Sequence, residues 1–108
     1  MKKLFKVVTV ESKGGEWQAE WEKLYTYDAN EAIDTALEQR EYDELENRAE
    51  RRMDARTTRK HETEIRELTV PDEFDLDLFL NGETGDDEAN KMEEMICDAE
   101  FIYNTIDF

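Results

Sequence analysis

The stretch Trp17-Gln18-Ala19-Glu20-Trp21-Glu22-Lys23-Leu24-Tyr25-Thr26-Tyr27 sets its large apolar side chains at alternate positions with one interruption. Trp17, Ala19, Trp21, Tyr25 and Tyr27 fall on one face, and Gln18, Glu20, Glu22 and Thr26 on the other, with Leu24 the exception. Alternation of this kind marks a half-buried strand, and four large aromatics on one face predict a slab of core. Upstream, residues 3–12 supply a partner strand. Lys13-Gly14-Gly15-Glu16 between them supplies the turn, because glycine takes the positive φ that tight hairpins need. The chain therefore opens with a β-hairpin.

Downstream the period changes from two to that of a helix. Asp28 and Glu31 stand three apart, the spacing of an N-cap and its reciprocal partner. Ala29, Ala32, Ile33, Ala36 and Leu37 then form an apolar stripe that continues through Tyr42, Leu45, Ala49 and Met53. No glycine or proline lies between residues 16 and 70. The spacing therefore predicts nearly continuous helix to about Thr57, with a break at Gln39-Arg40-Glu41 as the alternative. Residues 62–70 read as a strand through Ile65, Leu68 and Val70, closed by Pro71. Residues 74–80 suit either a short strand or a turn of helix, and residues 81–85 a loop. A last helix over about 87–104 carries Ala89, Met92, Ile96, Ala99 and Tyr103 on one face, with Met95 and Ile102 beside them. Asp86, Asp87 and Glu88 stand at its start, where the helix dipole favours negative charge. The expectation is one α+β domain over residues 1–108, a small antiparallel sheet led by the N-terminal hairpin and packed against two or three helices.

Composition narrows the function classes. Of 108 residues, 38% are hydrophobic and 41% charged, and the net charge is −16. The apolar fraction suffices for a core, while the charge far exceeds the magnitude of about 2–8 that solubility needs. Adaptation to salt, plain solvation and selection for a basic partner all produce such a charge. The field repels nucleic acid and anionic membranes and attracts basic surfaces. Cys97 is the only cysteine, so no disulfide forms within the chain, and a reducing compartment is expected. The N-terminal apolar run is broken by Lys6 and has no cleavage site. No stretch approaches the ~20 apolar residues of a membrane span. The expected location is cytoplasmic.

Residues that carry chemistry do not converge. A calcium loop begun at Asp75 needs an oxygen ligand at its fifth position and glycine at its sixth, where Phe79 and Leu80 stand. One His and one Cys do not build a zinc site. His61, in Arg59-Lys60-His61-Glu62, reads as a solvated residue at the start of a strand. Cys97 lies among Glu93, Glu94, Asp98 and Glu100, a setting that works against nucleophilic use, and reads as a packing residue. No glycine-rich phosphate loop is present. The expectation is a non-enzyme with no metal and no cofactor.

Charge placement says more than the total. Residues 48–60 hold six basic residues against two acidic ones, while residues 71–108 hold thirteen acidic residues and a single basic one, Lys91. The basic run follows Asp43, Glu44 and Glu46, as suits a helix dipole and i,i+4 pairs such as Glu44 with Arg48. An RNA site on Arg48, Arg51, Arg52, Arg56, Arg59 and Lys60 is the other reading, and the whole-molecule field opposes it. Duplex DNA carries one charge per about 1.7 Å of axis, and helix positions three or four apart lie about 5–6 Å apart. Carboxylates on a rigid helix can thus occupy a protein's row of Arg and Lys. Glu93, Glu94, Asp98 and Glu100 form one such rank, Asp86, Asp87 and Glu88 its head, and Asp72, Glu73, Asp75 and Asp77 a second rank.

In size, charge and the stretches Asp72-Glu73-Phe74-Asp75-Leu76-Asp77 and Asp86-Asp87-Glu88, the chain resembles the small acidic inhibitors that bacteriophages make against restriction, CRISPR or recombination machinery, several of which are DNA mimics. The basic run at 48–60 sets the middle of the molecule apart from a mimic surface. The resemblance implies a non-catalytic inhibitor or decoy that binds a basic, nucleic-acid-binding host protein in the host cytoplasm, with no direct DNA binding. The alternative is a protein–protein adaptor or regulatory subunit without mimicry, using Phe74, Leu76, Phe79 and Leu80 if these are exposed. The oligomeric state stays open.

Overall fold

The Lys13-Gly14-Gly15-Glu16 turn has φ of 63° at Gly14 and 83° at Gly15, the two positive angles that a type I′ hairpin turn demands. It joins β1 (Lys2–Lys13) to β2 (Glu16–Thr26). The structure is a computed structural model that describes residues 1–83 and 85–108; Thr84, within the expected 81–85 loop, lies outside the described residues. After the hairpin come α1 (Ala29–Met53), β3 (Arg59–Val70), α2 (Leu76–Asn81), α3 (Asp87–Glu100) and β4 (Asn104–Ile106). The sheet runs in the order β2-β1-β3-β4, and every neighbouring pair is antiparallel. This is the expected α+β architecture.

Helices cover both faces of the sheet. On one face Ala32 and Ala36 of α1 pack on Phe5, Val7 and Ile65, with Leu24, Ile33, Ile106 and Phe108 at the margin. On the other, Phe74 and α3's Met92, Ile96 and Ala99 pack on Leu4, Tyr25, Leu68 and Val70. Covering both faces explains why Leu4 to Thr9 of the central strand β1 are all buried, with no polar alternation. Each large apolar side chain so buried contributes roughly 1.5–3 kcal/mol.

The aromatic slab expected on β2 does not form. Val7 pairs with Leu24 and Val8 with Glu22, so Lys23 has no opposite number; Glu11 pairs with Ala19 and Ser12 with Trp17, so Gln18 has none either. Each extra residue reverses the alternation, as β-bulges do. Tyr25 therefore turns towards α2 and is 8% exposed, whereas Trp21 turns towards α1 at 45% and Trp17 stands 62% exposed. Tyr27, beyond the strand, is exposed too. β2 is an edge strand, the usual place for bulges, which twist an edge away from foreign strands. Leu24, the one break in the alternation, marks the first bulge.

The helices also differ from expectation in their faces and ends. α1 is one helix, unbroken at Gln39-Arg40-Glu41, and stops at Met53 with Asp54 as its cap. The Asp28 carboxylate accepts from the N–H groups of Asn30 and Glu31. The reciprocal role expected of Glu31 falls to Thr26, whose hydroxyl accepts from the Asp28 N–H. The row that α1 turns to the sheet is Ala32, Ala36 and Asp43. Thr63 donates to the Asp43 carboxylate at 2.5 Å and shares a hydrogen bond with Thr9. Asn47 donates to the His61 carbonyl and accepts from its N–H. Tyr42, Leu45, Ala49 and Met53, expected in the buried stripe, face solvent instead; Ala29 and Leu37, from its first half, are exposed as well.

β3 begins at Arg59, three residues before the expected start. Of the two readings of residues 74–80, the helix forms, because the Asp75 side chain accepts from the Leu78 N–H and caps it. A Cβ at Gly82, just past α2, would come within 2.6 Å of the Ala89 Cβ, so glycine lets α2 close against α3. That last helix ends at Glu100 rather than 104. Ile102 and Tyr103 leave its apolar stripe, and the chain enters β4, which the periodicity did not show. Among the described residues, no helix is long and apolar enough to cross a membrane.

Candidate partner-binding surface

Residues 71–108, with thirteen acidic residues and one lysine, account for twelve of the sixteen net negative charges. Up to residue 100 this segment is the α2–α3 layer, so the charge concentrates over one face of the sheet. Several of the eleven candidate carboxylates serve the fold. Asp75 and Asp86 cap α2 and α3. Asp72 meets the chain's amino group at 2.7 Å, a hydrogen bond that holds its carboxyl below the usual aspartate range. Asp77, Asp87 and Glu88 occupy first turns, where the helix dipole favours them by about 0.3–1 kcal/mol. Glu73 is exposed before α2.

Glu93, Glu94 and Asp98 are different. They are exposed on α3, Glu94 and Asp98 opposite the buried row Ala89, Met92, Ile96 and Ala99 and Glu93 on its flank. Asp98 stands in the last turn, where the negative end of the helix dipole disfavours a carboxylate. Lys91 shares this outer face. The structure thus brings both acidic ranks into one layer and leaves three carboxylates outward, at positions that do not serve the helix. Glu100, expected in the same rank, turns inward and binds Lys6.

Lys6 belongs to a polar seam beneath the layer. Its side chain is buried, bound to Glu100, 3.7 Å from Glu22 and above the Tyr25 ring. Opposite it on β3, Arg66 binds Glu20 at 2.8 Å and Glu64 at 2.6 Å, with its guanidinium over Tyr103. Burial alone would raise the Glu20 pKa, but the hydrogen bond and charge of Arg66 outweigh it and hold the carboxyl below the ordinary range. Tyr25 moves the other way, raised by burial and then by Glu22 and Glu100. In the same balance, burial of Arg66 is outweighed by Glu20 and Glu64, so its pKa rises. Glu20 and Glu22 therefore neutralise cations and add little to an outward field.

The sequence reading missed two features here. Phe101 and Ile102, just past α3 and next to Asp98, are 84% and 88% exposed, where the helical period expects them inside the last helix. Lys6 and Arg66 were missed because counting charges by segment does not show which face a residue takes. Cys97, read as a packing residue, is exposed on α3. His61 is half-buried beside Trp21, 6.1 Å between ring centres, and its Nδ1 meets no hydrogen-bond partner among the described residues. A cleft of about 690 Å³ lies by that ring, lined by Arg40, Asp43, Asn47, His61, Arg66 and Phe108 among others. Its main charges are already engaged, Arg66 with glutamates and Asp43 with Thr63. Among the described residues, no three His, Cys, Asp or Glu side chains gather to hold a metal ion. No protein-family model, curated protein or solved structure matches this chain.

Proposed function

We propose that this chain is a non-catalytic inhibitor or decoy that occupies the basic, nucleic-acid-binding surface of a host protein through the outer face of its α2–α3 layer. The observation that carries the reading is the concentration of twelve of the sixteen net charges in residues 71–108, with Glu93, Glu94 and Asp98 turned outward. Carboxylates held on a packed helix lose less entropy on binding than those on a loose tail. Phe101 and Ile102 beside Asp98 offer an apolar anchor at the end of the rank, the kind of contact that dominates binding energy. The reading places the protein in the cytoplasm, of the host if a phage encodes it, and assigns it neither DNA nor a membrane as a partner.

An adaptor without mimicry is the second reading, and exposed Phe101 and Ile102 favour it. Of its first candidate patch, Phe74 is buried and Leu76 and Phe79 pack against the core, which leaves Leu80 exposed. Affinity capture from the native host, followed by titration of the captured protein, separates the two readings. Under mimicry the affinity falls steeply with salt and the chain competes with duplex DNA. Reversal of Glu93, Glu94 and Asp98 to Lys weakens binding by orders of magnitude without loss of fold, and reversal of Glu16, Asp34 and Glu38 does not. An affinity indifferent to salt, lost on Phe101→Ser, leaves the adaptor. Loss on the control reversal alone moves the surface elsewhere.

A further inference from the structure

Along one side β3 pairs with β1 over its whole length, from Lys13 with Arg59 to Lys2 with Val70. Along the other side, among the described residues, β4 reaches only Ile65, Arg66 and Glu67. Side chains close part of the remaining edge, Arg59 to Glu64, in place of a strand. The Asn47 amide donates to the His61 carbonyl at 3.1 Å and accepts from the His61 N–H at 2.8 Å. These are the two bonds that a residue of a neighbouring antiparallel strand exchanges. The Thr57 hydroxyl accepts from the Arg59 N–H. Backbone groups on one edge belong to every second residue, so Thr63 turns its N–H and C=O the same way, beyond the end of β4. After Ile106 the chain leaves the ladder, and Phe108 lies under the Arg40 guanidinium of α1. The cleft of about 690 Å³ opens beside His61 and Thr63.

We infer that this open half of β3 is a strand-addition site for an extended segment of a partner protein with Lys or Arg at alternate positions, and that the Asn47 amide holds the place of that segment's backbone. Edge groups of a strand suit one kind of ligand above others, a second extended backbone. Charge selects the side chains. Five carboxylates line the cleft against three cations, and each cation is engaged. Arg66 binds Glu20 and Glu64, Lys60 binds Glu62, and Arg40 stacks on Phe108. Glu44 and Asp107 take part in no ion pair among the described residues. Arg48 and Arg51 line the next groove along α1, with Glu44 between the two. A basic segment therefore suits the cleft, and the field of a chain of charge −16 draws it in.

The site lies along the edge beside α1, whereas the acidic α2–α3 layer covers the other face of the sheet. The inference accordingly stands apart from the reading of that layer, and residue-level mapping separates the two.

A short peptide of alternating Lys and Thr, titrated by NMR into the whole chain at near-physiological salt, tests it. The backbone amides of His61 and Thr63 and the side-chain amide of Asn47 should shift together, and hydrogen exchange at the Thr63 N–H should slow. A strand offers one edge at a time, so N-methylation of every second peptide residue should block binding in one phase and spare it in the other. Asn47→Ala removes the competing amide and should tighten binding by about tenfold. Should that variant fail to fold, the two methylated peptides decide on the unaltered chain. Glu44→Gln with Asp107→Asn should weaken binding by about tenfold, and a peptide of alternating Glu and Thr should not bind. The inference is overturned if neither peptide binds at millimolar concentration, or if both methylated peptides behave alike. Shifts confined to α3, a folded Asn47→Ala that binds more weakly, carboxylate variants without effect, or an acidic peptide that binds as well as the basic one would overturn it too.

Discussion

Against one face of the sheet α1 lays Ala32 and Ala36, then Asp43 and Asn47; against the other, the α2–α3 layer lays Phe74, Met92, Ile96 and Ala99. On the α1 side small residues let the helix approach closely, and directed hydrogen bonds to Thr63 and His61 fix its rotation. On the α2–α3 side large side chains supply most of the buried apolar volume. The heavier core lies under the layer with the greatest negative charge, where self-repulsion most opposes packing. The contrast teaches that the charge is borne where the large apolar side chains pack, while the helix that docks closely through small and polar residues keeps an apolar face outward.

The largest effect that contrasts the two sides is a cavity. Phe74→Ala should cost about 3–5 kcal/mol in urea unfolding, and Trp21→Ala, half-exposed on the α1 side, about 1 kcal/mol or less. Equal losses would erase the contrast and return Trp21 to a buried slab.

The polar seam between the sheet and α3 gives the next effect. Lys6→Met removes the cation that Glu100 and Glu22 share, and it should cost about 1–3 kcal/mol. The pair Lys6→Met with Glu100→Leu should recover most of that loss, since an apolar replacement of a buried ion pair is often near neutral. If the double variant is no better than the single, Lys6 acts through packing and not through charge.

The smallest effect is a pH dependence carried by Glu20. Folding lowers its pKa, so the folded chain binds that proton less tightly than the unfolded chain does. The stabilisation is present above the ordinary glutamate value of 4.5 and disappears as pH falls through the lower folded value. Glu20→Gln should therefore flatten the acid limb of the stability curve and leave its shape near neutrality unchanged. An acid limb identical in the two proteins would detach Glu20 from Arg66.

Much of this architecture was legible in the residues. Gly14 and Gly15 announced their turn, Asp28 its helix, and the thirteen-to-one acidic excess the layer that carries most of the charge. The misreadings have physical causes. Periodicity assumes one residue per pairing, so Lys23 and Gln18 turned a single apparent face into two. The row that seats α1 is partly polar, so the apolar residues Tyr42 to Met53 drew the stripe to the wrong side. β4 has three residues, too few to show a period. Of the candidate carboxylates, Glu100 is set apart only by Lys6, ninety-four residues away in the chain, a pairing that local patterning does not reveal.

The two bulges in β2 also have an optical consequence. By reversing the strand twice they place the molecule's two indoles in different surroundings, Trp21 beside the His61 ring and Trp17 close to the Glu20 carboxylate. Tyr25 and its phenol are held on the α2 side, so the indole beside α1 and the phenol beside α2 sit on different faces of the sheet. Replacement of Trp17 by phenylalanine leaves the emission of Trp21 beside His61, a signal for the α1 side of the sheet, so docking of α1 can be timed during folding without an added label.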